Sequence, residues 1–208
     1  MYENREEAGR RLSEFLGRYK GLADTIVLGL PRGGVVVAYE VAKVLGLPLD
    51  VICPRKIGAP GNPEYAIGAV ADGGEPIFDE GAVAMIRPPA SWLDHAAKME
   101  AHESHAREKL FRQGREARNL EGKTVILVDD GIATGLTMRA AIQKVKQERA
   151  IYIVVAVPVV PFETLEETRS LVEEVICPYT PSGFMAIGEF YNDFGQTSND
   201  EVIQLLKE

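Results

Sequence analysis

The sequence has 208 residues, of which 46% are apolar and 26% are charged, a composition typical of a globular chain with a sizeable core. A formal charge of −8 and an isoelectric point near 5.1 argue against nucleic-acid partners, which require many Lys and Arg side chains facing phosphates. No apolar run approaches the roughly 18 residues of a membrane span, and the first residues are polar. We therefore expect no membrane partner and a location in the cytoplasm.

The first predicted element is an amphipathic helix, since apolar residues recur on one helical face at Ala8, Leu12, Phe15, Leu16 and Tyr19. Apolar runs rich in β-branched residues then predict strands at 25–28, 50–53, 124–128, 151–157 and 174–177. Helical patterns follow most of these strands, over about 35–45, 137–146 and 162–172. This alternation predicts an α/β fold of three layers, in which helices cover both faces of a mostly parallel sheet.

Residues 54–118 interrupt the alternation, and we treat them as elaborations of a single domain that spans 1–208. Proline and glycine residues predict a flexible, irregular loop over about 54–66, and long loops of this kind often act as lids over active sites. Short β-structure is expected over 66–79. A long charged helix, which we regard as an insertion, is expected over about 90–118.

The most specific pattern in the chain joins a buried strand to two acids and a glycine-rich turn. Val125–Val128 is followed by Asp129 and Asp130, and then by Gly-Ile-Ala-Thr-Gly-Leu-Thr at 131–137, before a helix. The strand would deliver both carboxylates to the carboxyl edge of the sheet, where they can accept hydrogen bonds from vicinal hydroxyls. The backbone N–H groups of the turn and the N-terminus of the helix would favour a phosphate. A ribose 5-phosphate satisfies both halves of the pattern.

Three other phosphate-binding patterns do not fit the chain. No Gly-Lys-Ser/Thr follows a glycine-rich loop, which excludes a Walker A motif, and Gly-x-Gly-x-x-Gly does not follow a strand. Receiver domains also carry an acidic pair, but theirs follows the first strand and lacks the glycine-threonine turn. A generic strand–turn–helix unit of an α/β fold is the remaining alternative.

The stretch resembles the phosphoribosyl-pyrophosphate signature of type I phosphoribosyltransferases, and nearly the whole chain is similar to a bacterial group of predicted members of that family. The resemblance implies that Asp129 and Asp130 hold the 2′- and 3′-hydroxyls of the ribose. It implies that the 5′-phosphate is cradled by Gly131, Ile132, Ala133, Thr134, Gly135, Leu136 and Thr137. Mg²⁺ is the implied cofactor, held mainly through the substrate pyrophosphate and ribose, with Asp129 and Asp130 as candidate protein ligands.

A second glycine-rich turn, Gly29-Leu30-Pro31-Arg32-Gly33-Gly34, follows the first predicted strand. It resembles the pyrophosphate loop of the family, in which backbone N–H groups and Arg32 would grip the leaving group, with Pro31, Gly33 and Gly34 as substrate-binding residues. The resemblance also implies a cis peptide bond between Pro31 and Arg32. It places the strands before the two loops side by side, so that both loops would line one crevice.

A basic pair, Arg55 and Lys56, ends the second predicted strand, where family members often carry two cations. We predict that Lys56 helps to neutralise the pyrophosphate, and we weigh a pyrophosphate contact for Arg55 equally against a solvated surface charge. Glu64, in the predicted lid, is a candidate general acid or base, although a solvated carboxylate is the simpler interpretation.

The resemblance implies a small hood subdomain over 178–208, in which aromatic residues cluster at Phe184, Phe190, Tyr191 and Phe194. Related enzymes stack the substrate base on hood aromatics, so Phe184 and Tyr191 are candidates for base binding, with core packing as the alternative for each. Ala133 stands where 6-oxopurine transferases carry an acid. The identity of the acceptor is therefore left open.

The predicted activity is transfer of ribose 5-phosphate from 5-phosphoribosyl-1-pyrophosphate to a nitrogenous base or amine, with release of pyrophosphate. Asp129, Asp130, Arg32 and Lys56 are the predicted catalytic residues. The alternative is a regulator on the same fold that senses the donor without turnover, which the lack of an assigned general base favours. A protein that binds partners through the helix at 90–118 is a third hypothesis, and a homodimer is kept open.

Overall fold

The computed structural model describes residues 1–207. Its strands are β1 (Thr25–Gly29), β2 (Leu49–Val51), β3 (Arg55–Ala59), β4 (Asn62–Val70), β5 (Ile77–Phe78), β6 (Thr124–Val128), β7 (Tyr152–Ala156) and β8 (Glu174–Ile176). Its α-helices are α1 (Arg5–Glu14), α2 (Gly33–Leu45), α3 (Glu80–Ile86), α4 (Ala90–Arg112), α5 (Leu136–Gln147), α6 (Phe162–Arg169) and α7 (Asn199–Leu205). None of these helices combines the length and the apolar character that crossing a bilayer requires.

The main sheet contains five parallel strands in the order β2-β1-β6-β7-β8. Helices connect the strands that follow one another within it, as parallel pairing requires. The strands β1 and β6 are neighbours, and their register places Gly29 beside Val128. The predicted α/β fold is therefore confirmed, and the loops that follow these two strands leave the sheet at the same edge.

Alternating side chains of the strands build one apolar layer on each face of the sheet. On one face the core contains Val27, Ile126 and Val154 together with Leu12 of α1 and Val37 of α2. The opposite face packs against α5 and α6 through Leu28, Leu127, Val155, Ile142 and Leu165. Because both faces are covered by helices, a ligand-binding site on this sheet can lie only at one of its edges.

The first helix ends earlier than its apolar pattern suggested. Phe15 is the residue after α1 and is 57% exposed, whereas Leu16 turns into the core. A short 3₁₀ helix, Gly17–Tyr19, then carries Tyr19 back to the sheet. The tighter turn changes which side chains share a face, so the expectation that Phe15 is buried was wrong.

A second, antiparallel sheet contains β3, β4 and β5. Its β3–β4 hairpin runs from residue 55 to residue 70 and so covers most of 54–66, where we expected irregular backbone. The turn of the hairpin contains Gly61 with φ of +74°, and a bulge lies near Gly58. A Cβ at Gly58 would overlap Pro63, so the paired strands approach closely there. The glycines and prolines serve a bulged hairpin, and reading them as loop signals was wrong because such strands tolerate both residues.

The long helix α4 ends at Arg112 rather than near 118, because Gln113 adopts a left-handed conformation with φ of 49°. Buried polar side chains of α4 hold the chain just after β2. Ser104 Oγ donates to the carbonyl oxygen of Cys53 at 2.7 Å, and the Cys53 N–H donates to a carboxylate oxygen of Glu108 at 3.1 Å. The helix is therefore anchored at the carboxyl end of β2, close to the edge where the two loops emerge.

The last helix packs on the main domain. Val202 and Ile203 of α7 are buried with Val35 of α2, Val51 of β2 and Phe111 of α4. The aromatic cluster of the predicted hood lies elsewhere, against α1. The described part of the predicted hood, residues 178–207, is thus divided between two packing environments.

Candidate active site

The two glycine-rich loops are in direct contact. A Cβ at Gly33 would overlap Asp130 Oδ2, and a Cβ at Gly34 would lie 2.6 Å from Asp129 Oδ1. Glycine is required at position 34, where a Cβ would also lie 2.8 Å from the backbone Cα of Asp129, whereas at position 33 a Cβ would displace the side chains of Asp130 and Arg5. The peptide bond between Pro31 and Arg32 is cis, as expected from the resemblance.

The acidic pair is tightly held at the end of β6. Asp129 Oδ1 accepts the N–H of Asp130 at 2.8 Å, and the carbonyl oxygen of Asp130 accepts the hydroxyl of Tyr191 at 2.6 Å. The side chain of Asp130 accepts a hydrogen bond from Arg5 Nε at 2.8 Å. Burial and the negative charge of Asp130 raise the pKa of Asp129 well above its usual range. A hydroxyl donor or a cation placed here would stabilise the anionic pair.

The loop after the acids has an anchored half and an open half. The N–H of Ile132 donates to the carbonyl oxygen of Val159 at 3.0 Å, and the side chain of Ile132 is buried. Ala133 and Thr134 are exposed, and Gly135 has φ of +77° immediately before α5. The N–H groups in the first turn of α5 have no acceptor within the helix. The open half therefore presents backbone donors and the Thr134 hydroxyl to a phosphate-sized anion.

Three arginines concentrate positive charge at the ends of β1 and β2. Arg32 has no ion pair within residues 1–207, whereas Arg55 pairs with Glu100 of α4 at 2.9 Å. The third, Arg107 of α4, was not predicted. Burial lowers the pKa of its guanidinium, and the nearby positive charges of Arg55 and Arg32 lower it further. Like charges held together in an acidic protein indicate a site for a multivalent anion.

Lys56 lies beside Arg55 on β3, and its side chain is exposed. Neither Lys56 nor Glu64, which is exposed on β4, has an ion pair in the described part of the chain. Both belong to the β3–β4 hairpin. The structure thus brings Arg32, Arg55 and the acidic pair to one edge of the sheet, while Lys56 and Glu64 face solvent.

Sequence reasoning missed Arg107 because the face of α4 that carries it is polar. Glu100, Ser104, Arg107 and Phe111 follow one another at intervals of four, three and four residues, which places them on one side of the helix. An amphipathic helix is normally recognised by an apolar stripe, and this stripe carries polar residues at three of its four positions. The regular spacing is the signal that was available.

The aromatic residues of the C-terminal segment differ in accessibility. Tyr191 is 5% exposed, and its ring packs against Tyr2 and Phe194 with centroids 5.5 and 5.0 Å apart. Its ring is therefore covered by protein, and the core-packing alternative holds for Tyr191. Phe184 is half-buried and stacks on Phe190 at 5.5 Å with an angle of 22° between the rings. Phe184 retains part of its surface for a ligand.

The family model for the phosphoribosyl transferase domain matches residues 1–184. The chain belongs to this family. Two proteins from Mycobacterium tuberculosis strains, named "Putative phosphoribosyl transferase MT0597" and "Putative phosphoribosyl transferase Rv0571c", are each 41% identical over 206 residues, which is 99% of this chain and 46% of each relative. The chain thus spans about half the length of the curated relatives it matches.

Two solved structures share the fold of this chain. The crystal structure of TT1426 from Thermus thermophilus is 42% identical with a TM-score of 0.82, covering 99% of this chain and 97% of that one. The structure of AQ2163 from Aquifex aeolicus is 10% identical with a TM-score of 0.50, covering 83% of this chain and 73% of that one. At that identity the second similarity concerns the fold alone. The predicted membership of the phosphoribosyltransferase family is confirmed.

Proposed function

We propose that this domain transfers the phosphoribosyl group of 5-phosphoribosyl-1-pyrophosphate to a nitrogenous base or amine, with release of pyrophosphate. The observation that carries the proposal is the contact between the two loops, in which Gly33 and Gly34 lie directly on Asp129 and Asp130. A donor that joins a ribose to a pyrophosphate needs a ribose site and a pyrophosphate site that lie no farther apart than the length of the donor itself. This contact supplies them at adjacent strand ends, where ligands bind in open α/β sheets.

The ribose 5-phosphate half is assigned to the acids and the loop after them. Asp129 and Asp130 accept hydrogen bonds from the 2′- and 3′-hydroxyls, which offsets the effect of burial on the Asp129 carboxylate. The 5′-phosphate binds at the open half of the loop, which includes the exposed residues Ala133 and Thr134 and leads to the half-buried Thr137. Ile132 and Leu136 are buried and act by holding the loop in place.

The pyrophosphate half is assigned to Arg32, Lys56 and Arg55, and we add Arg107. The bond between the anomeric carbon and the pyrophosphate oxygen breaks with both electrons leaving on oxygen. The lone pair of the acceptor nitrogen forms the new bond, and the nitrogen then gives up a proton to the departing pyrophosphate or to water. Because negative charge grows on the pyrophosphate and positive charge grows on the ribose, the arginines stabilise the first change and the two carboxylates stabilise the second.

Mg²⁺ fits the donor set at this edge of the sheet, because carboxylate and phosphate oxygens are its preferred ligands. No group of three or more potential His, Cys, Asp or Glu ligands occurs within residues 1–207. Asp129 and Asp130 would hold the ion on the protein side, with the donor supplying further oxygens. When bound, the ion would neutralise charge on the pyrophosphate.

The acceptor would approach from the side of Phe184, whose ring offers a flat apolar surface for a heterocycle or an aromatic amine. Ala133 supplies no acid to the phosphate loop, and the aromatic pair of Phe184 and Phe190 carries no hydrogen-bonding group. Stacking and shape would therefore contribute more to acceptor recognition than ion pairing.

Donor binding is tested by the thermal shift that it produces. A donor with Mg²⁺ at about 100 times its Kd stabilises a protein by about 2.7 kcal/mol, which is roughly 5–10 °C for a chain of this size. We expect Asp130→Asn to lose most of that shift while its own unliganded Tm stays close to that of the wild type. Asp94→Asn, at an exposed position on α4, is the matched control. An unchanged shift in Asp130→Asn would contradict the ribose assignment.

Turnover separates an enzyme from a sensor. We expect at least one member of a panel of purines, pyrimidines and aromatic amines to trigger pyrophosphate release. Arg32→Ala should slow that release more than it weakens donor binding, because its charge is needed most as the leaving group forms. Tight donor binding without release across the panel would favour the sensor. Equal losses of binding and turnover would show that Arg32 acts on the ground state.

A further inference from the structure

Arg5, the first residue of α1, reaches the acidic pair from a part of the chain that neither loop motif includes. Its Nε donates to Asp130 Oδ2 at 2.8 Å, and its Nη1 donates to the carbonyl oxygen of Gly195 at 2.7 Å. The side chains of Arg5 and Asp130 are each 12% exposed. A pair so shielded from water is far less screened than an ion pair on the surface.

The guanidinium of Arg5 is enclosed by other parts of the fold. Its central carbon lies 3.8 Å from the centroid of the Phe194 ring, a close cation–π contact. On another side, a Cβ at Gly33 would lie 2.5 Å from Arg5 Nε. The N-terminal helix, the pyrophosphate loop and the C-terminal segment therefore all meet at this side chain, which leaves it little freedom to rotate.

The hydrogen bond from Arg5 limits how the carboxylate of Asp130 can bind a ligand. A carboxylate has two oxygens, and Arg5 occupies Oδ2 of Asp130, so Oδ1 is left to accept a ribose hydroxyl. The bond also restricts rotation of the carboxylate. Within residues 1–207, no other Lys or Arg makes an ion pair with Asp129 or Asp130. Arg5 is thus the cation that offsets the repulsion between these neighbouring acids.

We propose that Arg5 is a positioning residue, which orients the carboxylate of Asp130 for the ribose hydroxyls and does not itself touch the donor. This inference rests on the proposed function. The glycine-rich loop that binds pyrophosphate has its own backbone donors and Arg32. Loss of Arg5 should therefore impair recognition of the ribose and spare recognition of the pyrophosphate.

Calorimetric titration with two ligands tests this difference. With Mg²⁺ present, Arg5→Gln should weaken binding of 5-phosphoribosyl-1-pyrophosphate by about tenfold or more, as expected for a lost hydrogen bond to a charged group, and change binding of inorganic pyrophosphate by less than about twofold. Arg5→Lys keeps the charge and should recover part of the loss. Arg10→Gln, a half-exposed arginine on the same helix that pairs with Glu40, should bind both ligands like the wild type.

Phe194→Leu provides a second variant in case Arg5→Gln does not fold. It removes the ring beside the guanidinium and leaves the bond to Asp130, so the same ligand-specific loss should appear at smaller size. The proposal is overturned if well-folded Arg5→Gln binds both ligands normally, or loses both by the same factor. A wild-type protein that binds pyrophosphate but not the phosphoribosyl donor would contradict the proposed function itself, and this inference with it.

Discussion

At the level of single residues, Gly34 shows how closely the two loops approach each other. A Cβ there would lie 2.6 Å from Asp129 Oδ1 and 2.8 Å from Asp129 Cα. The second contact is with backbone, so no change of side-chain rotamer can relieve it. Glycine is required at this position by the neighbouring strand end, and any larger residue must push the acidic pair away.

Gly34→Ala is expected to lower the free energy of unfolding by about 1–3 kcal/mol, the usual cost of overpacking a close contact. It should also weaken donor binding, because displacement of Asp129 would disturb the proposed ribose site. Urea unfolding and calorimetric titration measure the two effects. Gly17→Ala is the matched control, since nothing lies within 4 Å of a Cβ at that position. Two variants of equal stability would show that the loops can separate without cost.

Among the secondary-structure elements, the β3–β4 hairpin combines an anchored base with an exposed tip. Ile57 and Ile67 are buried in the cluster that also contains Ala97 of α4. Residues 60–65, at the turn, are exposed. The hairpin carries Arg55 and Lys56 at its base. Movement of the tip can therefore change how a ligand is enclosed while these two cations stay in place. Within the segment 54–66, the part that stays a candidate lid is therefore the tip, residues 60–65.

Amide hydrogen exchange should be fast over 60–65 and slow around Ile57 and Ile67 in the unliganded protein, because only the latter are packed. Adding 5-phosphoribosyl-1-pyrophosphate with Mg²⁺ should slow exchange at the tip. Lys56→Ala should remove that protection, while Lys98→Ala, at an exposed position on α4, should retain it. If the tip already exchanges slowly without the ligand, the lid hypothesis is wrong.

At the scale of the whole molecule, α7 links parts of the chain that are far apart in sequence. Val202 is fully buried with Val35, Val51 and Phe111, which belong to α2, β2 and α4. A capping box at Ser198 and Glu201 defines where this helix begins. The packing joins the C-terminal segment to α2, which follows the loop proposed to bind pyrophosphate, as expected if 1–208 unfolds as a single cooperative unit.

Val202→Ala should lower the free energy of unfolding by about 2 kcal/mol, since it removes buried methyl groups and leaves a cavity. Urea unfolding followed by far-ultraviolet circular dichroism should show one transition at lower urea, with an unchanged slope. Val44→Ala, at a largely exposed position on α2, should have a small effect. An early, separate transition in Val202→Ala would instead indicate that the C-terminal segment unfolds by itself.

The strands of the main sheet and the central motif of the site could be predicted because their signals are local. Apolar runs rich in β-branched residues are typical of strands that are covered on both faces. The five runs in this chain form β1, β2, β6, β7 and β8. The acids and the glycine-threonine loop are consecutive in the chain, so their proximity follows from covalent connection. The hairpin at 54–66 was missed because proline and glycine have the same local preferences in a bulged strand pair and in a loop.

The α/β class, the family and the two loop motifs were predictable from the sequence alone, because each depends on residues that are close along the chain. Only the tertiary structure placed Arg5 against Asp130, 125 residues away, and brought Arg107 toward Arg32 and Arg55. It also decided that Tyr191 is buried while Phe184 remains partly accessible. Such contacts depend on how helices and loops pack over the whole fold. Because the packing free energy is spread over many residues, no short stretch of the sequence indicates which contacts will form.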